Sequence, residues 1–350
     1  MLKQATQHEL ANRQSNSDRM ISVVCAADDA YAMPLAVTLR SLGDHLSPTT
    51  FARVFVLDGG ISELNWMAIK ESLAGLPLDV TSVVPERDRV NSLPTSHHIT
   101  HTAYFRLLTA DLLPDDIDKV IYLDADLLIK DDVSQIWQIP LNNAYCAATV
   151  DIACPYIDAR LGSANFRRAA PYLATICPVR NYRDLGLDGS QEYFNSGVMI
   201  LNLNRWRQEN LIERFLKCLH DNAKHVWCWD QYALNVVFAG EWLRLAPRWN
   251  QGAHAFEYPT EKHVPIDPQE WREMIDNPAI VHFTTEFKPW QFNSDHPRSE
   301  LFYDGLAATM WRGWQPTKPA FRWRKWFDRQ GAHVVKRVTY AYRKVTTLWA

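Results

Sequence analysis

The chain has 350 residues, of which 47% are hydrophobic and 22% are charged, and its formal net charge is −3. This apolar fraction is enough to bury a sizeable core, and the length allows one large α/β domain or two small ones. No stretch approaches the ~20 consecutive apolar residues that a membrane-spanning helix needs, which excludes an integral helical membrane protein.

Two features predict a location on the cytoplasmic side. Residues 1–19 are polar and lack the apolar segment of a signal peptide, so we interpret them as a polar N-terminal extension. The six cysteines show no Cys-x-x-Cys pairing, which favours buried, reduced thiols in a cytosolic protein. These cysteines are Cys25, Cys146, Cys154, Cys177, Cys218 and Cys228.

The first half of the chain alternates predicted strands and helices. Such alternation predicts a parallel, doubly wound sheet. A serine at position 62 is the expected N-cap of the second helix. Strands are predicted at residues 20–26, 54–57, 79–84 and 120–123, and helices at 34–42, 62–74 and 102–112.

The second half is less regular. Residues 154–190 contain several prolines and many Arg and Tyr residues, so we expect loops with short helices there. Elsewhere, apolar runs predict strands at residues 145–150, 198–203 and 279–283, and helical spacing predicts an amphipathic helix at 211–220.

An aspartate pair follows the predicted strand 120–123. Because strand side chains alternate between faces, Asp124 and Asp126 project to the same side. In an open α/β sheet, ligands bind at the carboxyl ends of the strands. Two carboxylates there suit a hard divalent cation, which in turn suits a diphosphate. The alternative is a solvated turn at a strand end.

Polar residues also follow other predicted elements. Asp28 follows the first strand, where no Gly-x-Gly-x-x-Gly motif occurs, and could bind a base or ribose or cap a helix. Asn195 precedes Gly197, which permits a close approach of the backbone, and could bind a hydroxyl or form an Asx turn.

Asp230 and Gln231 begin a predicted helix, where Asp230 is either the N-cap or part of a polar pair facing a sugar. His282 lies at a strand end, six residues before Lys288. Considered without the aspartates, His282 would be interpreted as a structural residue. With the aspartates it would complete a mixed nitrogen and oxygen metal site, and Lys288 would neutralise phosphate charge.

Taken together, these segments resemble glycosyltransferase family 8, the retaining UDP-sugar transferases of GT-A fold, and within it the bacterial lipopolysaccharide galactosyl- and glucosyltransferases. The resemblance covers about residues 20–290. It rests on motifs in the family's order: A-A-D-D-x-Y at 26–31, A-Y-x-R at 103–106, L-D-A-D at 123–126, F-N-S-G at 194–197, D-Q at 230–231, and H-x-x-x-x-x-K-P-W at 282–290.

The resemblance implies an α/β GT-A domain over residues 20–300, in which a Rossmann-like nucleotide-binding sheet continues into an acceptor-binding half. It implies transfer of galactose or glucose from a UDP-sugar to a glycan, either the lipopolysaccharide core or another cell-surface glycan. It assigns the metal to Asp124, Asp126 and His282, uridine to Ala26, Asp28 and Tyr31, the diphosphate and donor sugar to Arg106, Ala125, Asn195 and Lys288, and the reaction centre to Arg106, Asp230 and Gln231.

The same resemblance shapes the expected chemistry. The carboxylates, imidazole and phosphate oxygens suit Mn²⁺, with Mg²⁺ as the alternative. Retention by double displacement would need a carboxylate behind the anomeric carbon, whereas the matching Gln231 is a poor nucleophile. We therefore expect a same-face, ion-pair-like path. Two positions depart from the family pattern: Ala30, where relatives often have Asn, and Thr285, where they usually have Gly and where a β-branched residue tolerates positive φ poorly.

The C-terminal tail is basic and rich in tryptophan. Residues 318–350 hold nine Lys and Arg against one acid, Asp328, on an otherwise acidic body. We interpret residues 301–350 as a peripheral anchor on the inner face of the cytoplasmic membrane. The alternative is a tail that packs its tryptophans on the domain. Nucleic-acid binding is not expected, because no recognition motif accompanies the charge. The tail's tryptophans are Trp311, Trp314, Trp323, Trp326 and Trp349.

Two other classes of protein remain open from the sequence. A nucleotidyltransferase or phosphotransferase also uses paired aspartates, but it would need a P-loop or a third clustered carboxylate, and neither is evident. A non-catalytic protein that binds sugar nucleotides or glycans is the other. Metal-dependent release of UDP from a UDP-sugar would separate all three.

Overall fold

The computed structural model describes residues 20–91, 93 and 101–318. The predicted N-terminal extension and the basic tail after residue 318 lie outside the described residues. Within them the chain forms a seven-stranded sheet of order β3-β2-β1-β4-β7-β6-β8 and a small sheet of order β5-β10-β9. Helices cover the large sheet, and the candidate site lies where the two sheets meet.

The first three strands pair in parallel because the helices between them return the chain to the same edge. Val23 lies beside Val54 in this register, and both are fully buried. The Ser62 hydroxyl accepts a hydrogen bond from the Asn65 N–H, which confirms the predicted N-cap. These elements are β1 (Met20–Ala27), α1 (Ala32–His45), β2 (Phe51–Asp58), α2 (Glu63–Ser72) and β3 (Leu78–Val83).

The next segment brings the aspartate pair to the centre of the sheet. The predicted helix 102–112 is mostly a 3-10 helix, His101–Leu108, followed by one α-helical turn. The following strand pairs in parallel with β1, with Val23 beside Ile121. The chain then leaves the large sheet for the small one. The elements are α3 (Thr109–Leu112), β4 (Lys119–Leu123), β5 (Leu127–Ile129) and α4 (Ser134–Trp137).

The parallel pairing predicted for the strands of the first half is confirmed for β1 to β4, and the second half adds a strand of the opposite direction. The strand β7 runs antiparallel to both β4 and β6. Residues 151–193 do not cross the sheet as a long helix, and Phe194 re-enters opposite Val150, so the chain must run back. The strands are β6 (Cys146–Val150), β7 (Phe194–Asn202) and β8 (Trp242–Arg244), and the connection contains α5 (Ala159–Gly162) and α6 (Phe166–Ala169).

The remaining helices pack on the second half of the sheet and on the small sheet. The amphipathic helix predicted at 211–220 is confirmed, with Phe215 and Leu219 fully buried. The elements are α7 (Leu203–Gln208), α8 (Leu211–Asp221), α9 (Trp229–Val237), β9 (Gln251–Gly252), α10 (Pro268–Asp276), β10 (Ile280–His282) and α11 (Ser299–Leu306).

Residues 301–318, the first part of the predicted tail, pack on the domain. The side chains of Trp311 and Trp314 contact the apolar cluster around Phe302. The Met310 N–H donates to the Ser72 hydroxyl at the end of α2. These two tryptophans therefore follow the alternative of packing on the domain, whereas Trp323, Trp326 and Trp349 lie outside the described residues.

Candidate active site

The aspartate pair and His282 converge from different strands. Asp124 and Asp126 follow β4, and His282 ends β10, which pairs antiparallel with β5 and places His282 beside Leu127. One candidate ligand atom from each of the three residues lies within 4.8 Å of the others. The Nε2 atom of His282 is 3.3 Å from Asp126 Oδ1 and 3.6 Å from Asp124 Oδ2. The predicted grouping is therefore present.

Gly197 makes this approach sterically possible. A Cβ atom there would lie 2.3 Å from His282 Cε1 and 2.7 Å from Asp124 Oδ2. Its carbonyl accepts from the Asp124 N–H at 2.8 Å. The expected close approach at Gly197 is therefore present, in a strand that begins at Phe194, four residues earlier than predicted.

Two cationic side chains hold the aspartates. Arg106 is buried and contacts Asp124 at 2.8 Å and Asp230 at 2.9 Å, while Lys288 Nζ lies 2.6 Å from Asp126 Oδ2. Burial disfavours the charge of Asp126, but Lys288 and His282 hold the pKa of its carboxyl well below the ordinary value. Burial likewise opposes the charge of Arg106, yet the carboxylates raise its pKa.

Asp230 lies beneath the site rather than in it. It is in the first turn of α9, where Cys228 is the N-cap, so Asp230 does not act as the cap. Burial raises the pKa of its carboxyl against the attraction of Arg106. Its contacts are with Arg106 and with the Ser196 hydroxyl at 3.3 Å.

The donor set fits a divalent metal ion. Two carboxylates and one imidazole from two strands offer oxygen and nitrogen ligands, a combination that suits Mn²⁺ and Mg²⁺. His282 is 5% exposed, and its Nδ1 atom lies 2.8 Å from Asn250 Oδ1. An outer hydrogen bond of this kind is typical of a metal-binding histidine. Asp124, Asp126 and His282 could therefore hold the ion.

Amide side chains form the opposite wall. Gln231 Nε2 donates to Asp151 Oδ2 at 2.8 Å, and Gln231 Oε1 accepts from the Ser196 N–H at 3.0 Å. Asn195 Nδ2 donates to the same Asp151 oxygen at 3.1 Å. Asn195 Oδ1 also accepts from the Gly197 N–H, so the alternative of an Asx-type turn is correct as well.

A cavity of about 770 Å³ is lined both by the aspartates with their cationic partners and by these amide side chains. Asp28 and Tyr31 also line it, and the Tyr31 ring meets Trp290 edge-on at 5.7 Å between centroids. With the exception of Asp230, the residues predicted for donor, metal and reaction centre line it: Ala26, Asp28, Tyr31, Arg106, Asp124, Ala125, Asp126, Asn195, Gln231, His282 and Lys288.

Both departures from the family pattern also line this cavity. Ala30 lies near Asp28. Thr285 adopts φ of 79°, the left-handed region that favours glycine. The threonine that stands where relatives usually have Gly therefore adopts positive φ despite its β-branched side chain.

Sequence reasoning missed Asp151, which accepts from Asn195 and Gln231, and Asn250, which bonds His282 and Asn195. Asp151 follows the predicted strand 145–150, so the rule that found Asp124 could have found it. Asn250 ends a 3-10 helix, Pro247–Asn250, in a region without periodicity, and no sequence signal marks it. Trp229, another lining residue, has φ of 38°, which only the structure reveals.

The fold and the site define an α/β protein with a candidate metal centre at its strand ends, and comparison with known proteins gives its family. Residues 22–294 match the model of Glycosyl transferase family 8, so the chain belongs to this family. It is 28% identical to General stress protein A of Bacillus subtilis over 84% of this chain and 96% of that protein.

Two further relatives have names that state an activity. Lipopolysaccharide 1,2-glucosyltransferase of Escherichia coli K12 is 25% identical over 86% of this chain and 82% of that protein. The crystal structure of the galactosyltransferase LgtC with donor and acceptor sugar analogues matches with a TM-score of 0.68 at 25% identity, over 84% of this chain and 99% of that one. The GT-A fold expected from the sequence is thus confirmed.

None of the helices in the described part of the chain has the length and apolar character needed to cross a membrane.

Proposed function

We propose that this chain transfers a hexose from a UDP-hexose to a glycan acceptor with a divalent metal ion, preferably Mn²⁺. One observation carries the proposal: two aspartates, a histidine from another strand and two cationic side chains meet in a cavity at the strand ends. A diphosphate needs such positive charge when it departs. Membership of Glycosyl transferase family 8 supports the reaction class.

Each wall of the cavity has a role in this proposal. Asp28 and Tyr31, with Ala26, bind uridine at one end. When bound, the metal supplies Lewis-acid stabilisation of the leaving diphosphate. Arg106 and Lys288 add positive charge from the protein, and they are already held beside the metal-binding aspartates. Asn195 and Gln231 hold the donor sugar.

The arrangement near Gln231 favours retention of the anomeric configuration by a same-face path. Asp230 is buried against Arg106 and does not line the cavity, which argues against it as the nucleophile. Gln231 is an amide held between Ser196 and Asp151. A double displacement would need a carboxylate nucleophile, so we propose a same-face, ion-pair-like path in which the leaving phosphate helps to deprotonate the acceptor.

The donor sugar is proposed to be glucose or galactose and the acceptor the lipopolysaccharide core or another cell-surface glycan. The names of the Escherichia coli relative and of LgtC support these choices. Residues 154–190 follow the cavity wall at Cys154 and Ala174 and shape the acceptor side.

A panel of UDP-sugars tests the proposal. We expect UDP release from UDP-glucose or UDP-galactose only with Mn²⁺ or Mg²⁺ present, and loss of release in His282→Ala. Binding of UDP-sugar without any release would indicate a non-catalytic binding protein. Release of pyrophosphate in place of UDP would indicate a nucleotidyltransferase. The anomeric configuration of the transferred sugar tests retention.

Peripheral membrane binding is proposed for the tail, now narrowed to residues after 318. The proposal rests on the excess of basic residues and tryptophans there, with ~1 kcal/mol for each basic residue at an anionic surface. Removal of residues 319–350 should preserve UDP-sugar hydrolysis and reduce sedimentation with anionic vesicles, most clearly at low salt. Equal sedimentation of the full-length and truncated proteins would contradict an anchor on the inner membrane face.

A further inference from the structure

Asn250 lies directly behind His282 and uses both ends of its amide. It is 6% exposed, and its Oδ1 atom lies 2.8 Å from His282 Nδ1. Its Nδ2 atom donates to Asn195 Oδ1 at 2.9 Å. The side chain therefore bridges the histidine of the metal site and the amide wall of the cavity.

The orientation of Asn195 is fixed from both ends. Its Oδ1 atom accepts from the Gly197 N–H at 2.9 Å, and a backbone N–H can only donate. Its Nδ2 atom faces Asp151 Oδ2 at 3.1 Å, and a carboxylate accepts. Exchanging the oxygen and nitrogen of Asn195 would set donor against donor at one end and acceptor against acceptor at the other.

This orientation determines that of Asn250 in turn. Because Asn195 presents an oxygen, Asn250 must present its NH₂ group there, which leaves its own oxygen facing His282. An amide oxygen accepts only from a protonated ring nitrogen. The proton of a neutral His282 ring therefore lies on Nδ1, and the lone pair lies on Nε2, the atom that faces Asp124 and Asp126.

We propose that Asn250 is a positioning residue that keeps the His282 proton on Nδ1 and so leaves Nε2 available to a metal ion. The proposal rests on the metal role proposed above for Asp124, Asp126 and His282. Without Asn250, the Nε2–H form can donate to Asp126 Oδ1, 3.3 Å away, and that proton must leave before a metal binds. Loss of such an outer hydrogen bond typically lowers metal affinity ~10–100-fold.

The proton position can be measured without metal. Long-range ¹H–¹⁵N spectra of the metal-free full-length protein, labelled at histidine, distinguish the two neutral forms at about pH 8.5, well above the ordinary histidine pKa. The His282 signals are those missing from His282→Gln. We expect a protonated Nδ1 in the wild type and a substantial Nε2–H population in Asn250→Leu. A wild-type ring protonated only on Nε2 overturns the proposal without any variant.

Metal affinity is the second measurement. Titration with Mn²⁺ should give a dissociation constant ~10–100-fold higher for Asn250→Leu than for the wild type. Asn181→Leu is the matched control, because Asn181 is also 6% exposed and its amide bonds Asn222 and Tyr232 instead. It should lose comparable stability and keep wild-type Mn²⁺ affinity.

The outcomes separate this inference from the proposed function. If the wild type binds no Mn²⁺, the proposed metal site fails, and the spectra still decide the role of Asn250. If the wild type and Asn250→Leu bind Mn²⁺ equally with the same proton position, the positioning role is refuted while the metal site stands. Should Asn250→Leu not fold, Asn250→Ala beside Asn181→Ala gives the same contrast.

Discussion

The two walls of the cavity are built from different interactions. The charged wall consists of Arg106, Asp124, Asp126 and Lys288. It is held by ion pairs of 2.6–2.9 Å, one of which joins Arg106 to Asp230 beneath the wall. The amide wall consists of Asp151, Asn195, Gln231 and Asn250 and is held by neutral donors. Asn195 and Gln231 both donate to the Asp151 carboxylate, and Asn250 donates to Asn195 Oδ1. The charged wall therefore holds opposite charges in contact with each other, whereas the amide wall fixes the orientation of its side chains.

This difference predicts how each wall responds to a ligand. Asp124 and Asp126 would hold a divalent ion, which would supply positive charge to these carboxylates. Arg106 and Lys288, which now balance them, would then be available to a diphosphate. On the amide wall each donor already has an acceptor, so its geometry is set in advance. Substitutions in the charged wall should change the charge balance of the site, whereas those in the amide wall should change the orientation of its side chains.

The largest effect is expected for Asp126→Asn. This change keeps the side-chain size but removes an anionic ligand and the partner of Lys288. Turnover should fall more than ~1,000-fold, about 4 kcal/mol, with the fold intact. UDP release at several Mn²⁺ concentrations measures it. Asp131→Asn, which affects an ion pair with Arg248, is the control. Near wild-type activity of Asp126→Asn at limiting Mn²⁺ would show that the metal site is misassigned.

Arg106→Met tests the charge balance directly. It leaves Asp124 and Asp230 without their shared partner in a buried site, so the metal-free protein should lose about 3 kcal/mol in free energy of unfolding. Mn²⁺ should then stabilise the variant more than the wild type, because it replaces the missing positive charge. Denaturant unfolding with and without Mn²⁺ provides both values. An equal Mn²⁺ effect in both proteins would contradict the charged-wall description.

Gln231→Ala tests the amide wall. Transfer should slow ~10–100-fold, about 1.4–2.7 kcal/mol, while Mn²⁺ affinity stays unchanged, because Gln231 contacts Asp151 and Ser196 and none of the three metal ligands. Single-turnover rates and Mn²⁺ titration of the same preparation separate the effect on sugar transfer from any effect on Mn²⁺ affinity. A covalent glycosyl adduct trapped on Asp230 would instead refute the same-face path.

The sequence predicted the charged wall better than the amide wall, for a physical reason. Asp124, Asp126, His282 and Lys288 lie at the ends of strong apolar runs or in motifs of fixed spacing, which local patterns reveal. Asn250 matters only because β10 and β9 pair in parallel and set its 3-10 helix behind His282. Pairing between residues 30 positions apart leaves no local pattern.

The relative direction of the strands likewise left no local pattern in the sequence. The apolar runs at β6 and β7 predicted two strands correctly, but their relative direction depends on where residues 151–193 fold. That segment stays at the edge of the sheet that carries the site, with Tyr156 bridging to Glu192. The sequence marks it only as proline-rich and irregular. At Thr285 the sequence marked the position, because relatives usually have Gly there, but only the structure shows that the threonine adopts φ of 79°.

Thr285→Gly should give the smallest effect and should increase stability. A side chain in the left-handed region costs ~1–2 kcal/mol, and glycine removes this cost but loses ~0.5–1 kcal/mol through the freedom of its unfolded chain. The net gain in free energy of unfolding of the metal-free protein should therefore be up to ~1.5 kcal/mol. Thr284→Gly is the matched control, because the Thr284 hydroxyl accepts from the Ala253 N–H at 2.9 Å and its loss should destabilise. Thr285 lies three residues before Lys288, so the loop that carries a strained residue also carries a cation of the charged wall. If Thr285→Gly lowers the free energy of unfolding as much as Thr284→Gly does, the backbone at Thr285 is not strained. The geometry of the charged wall near Lys288 is then as well preorganised as that of the amide wall.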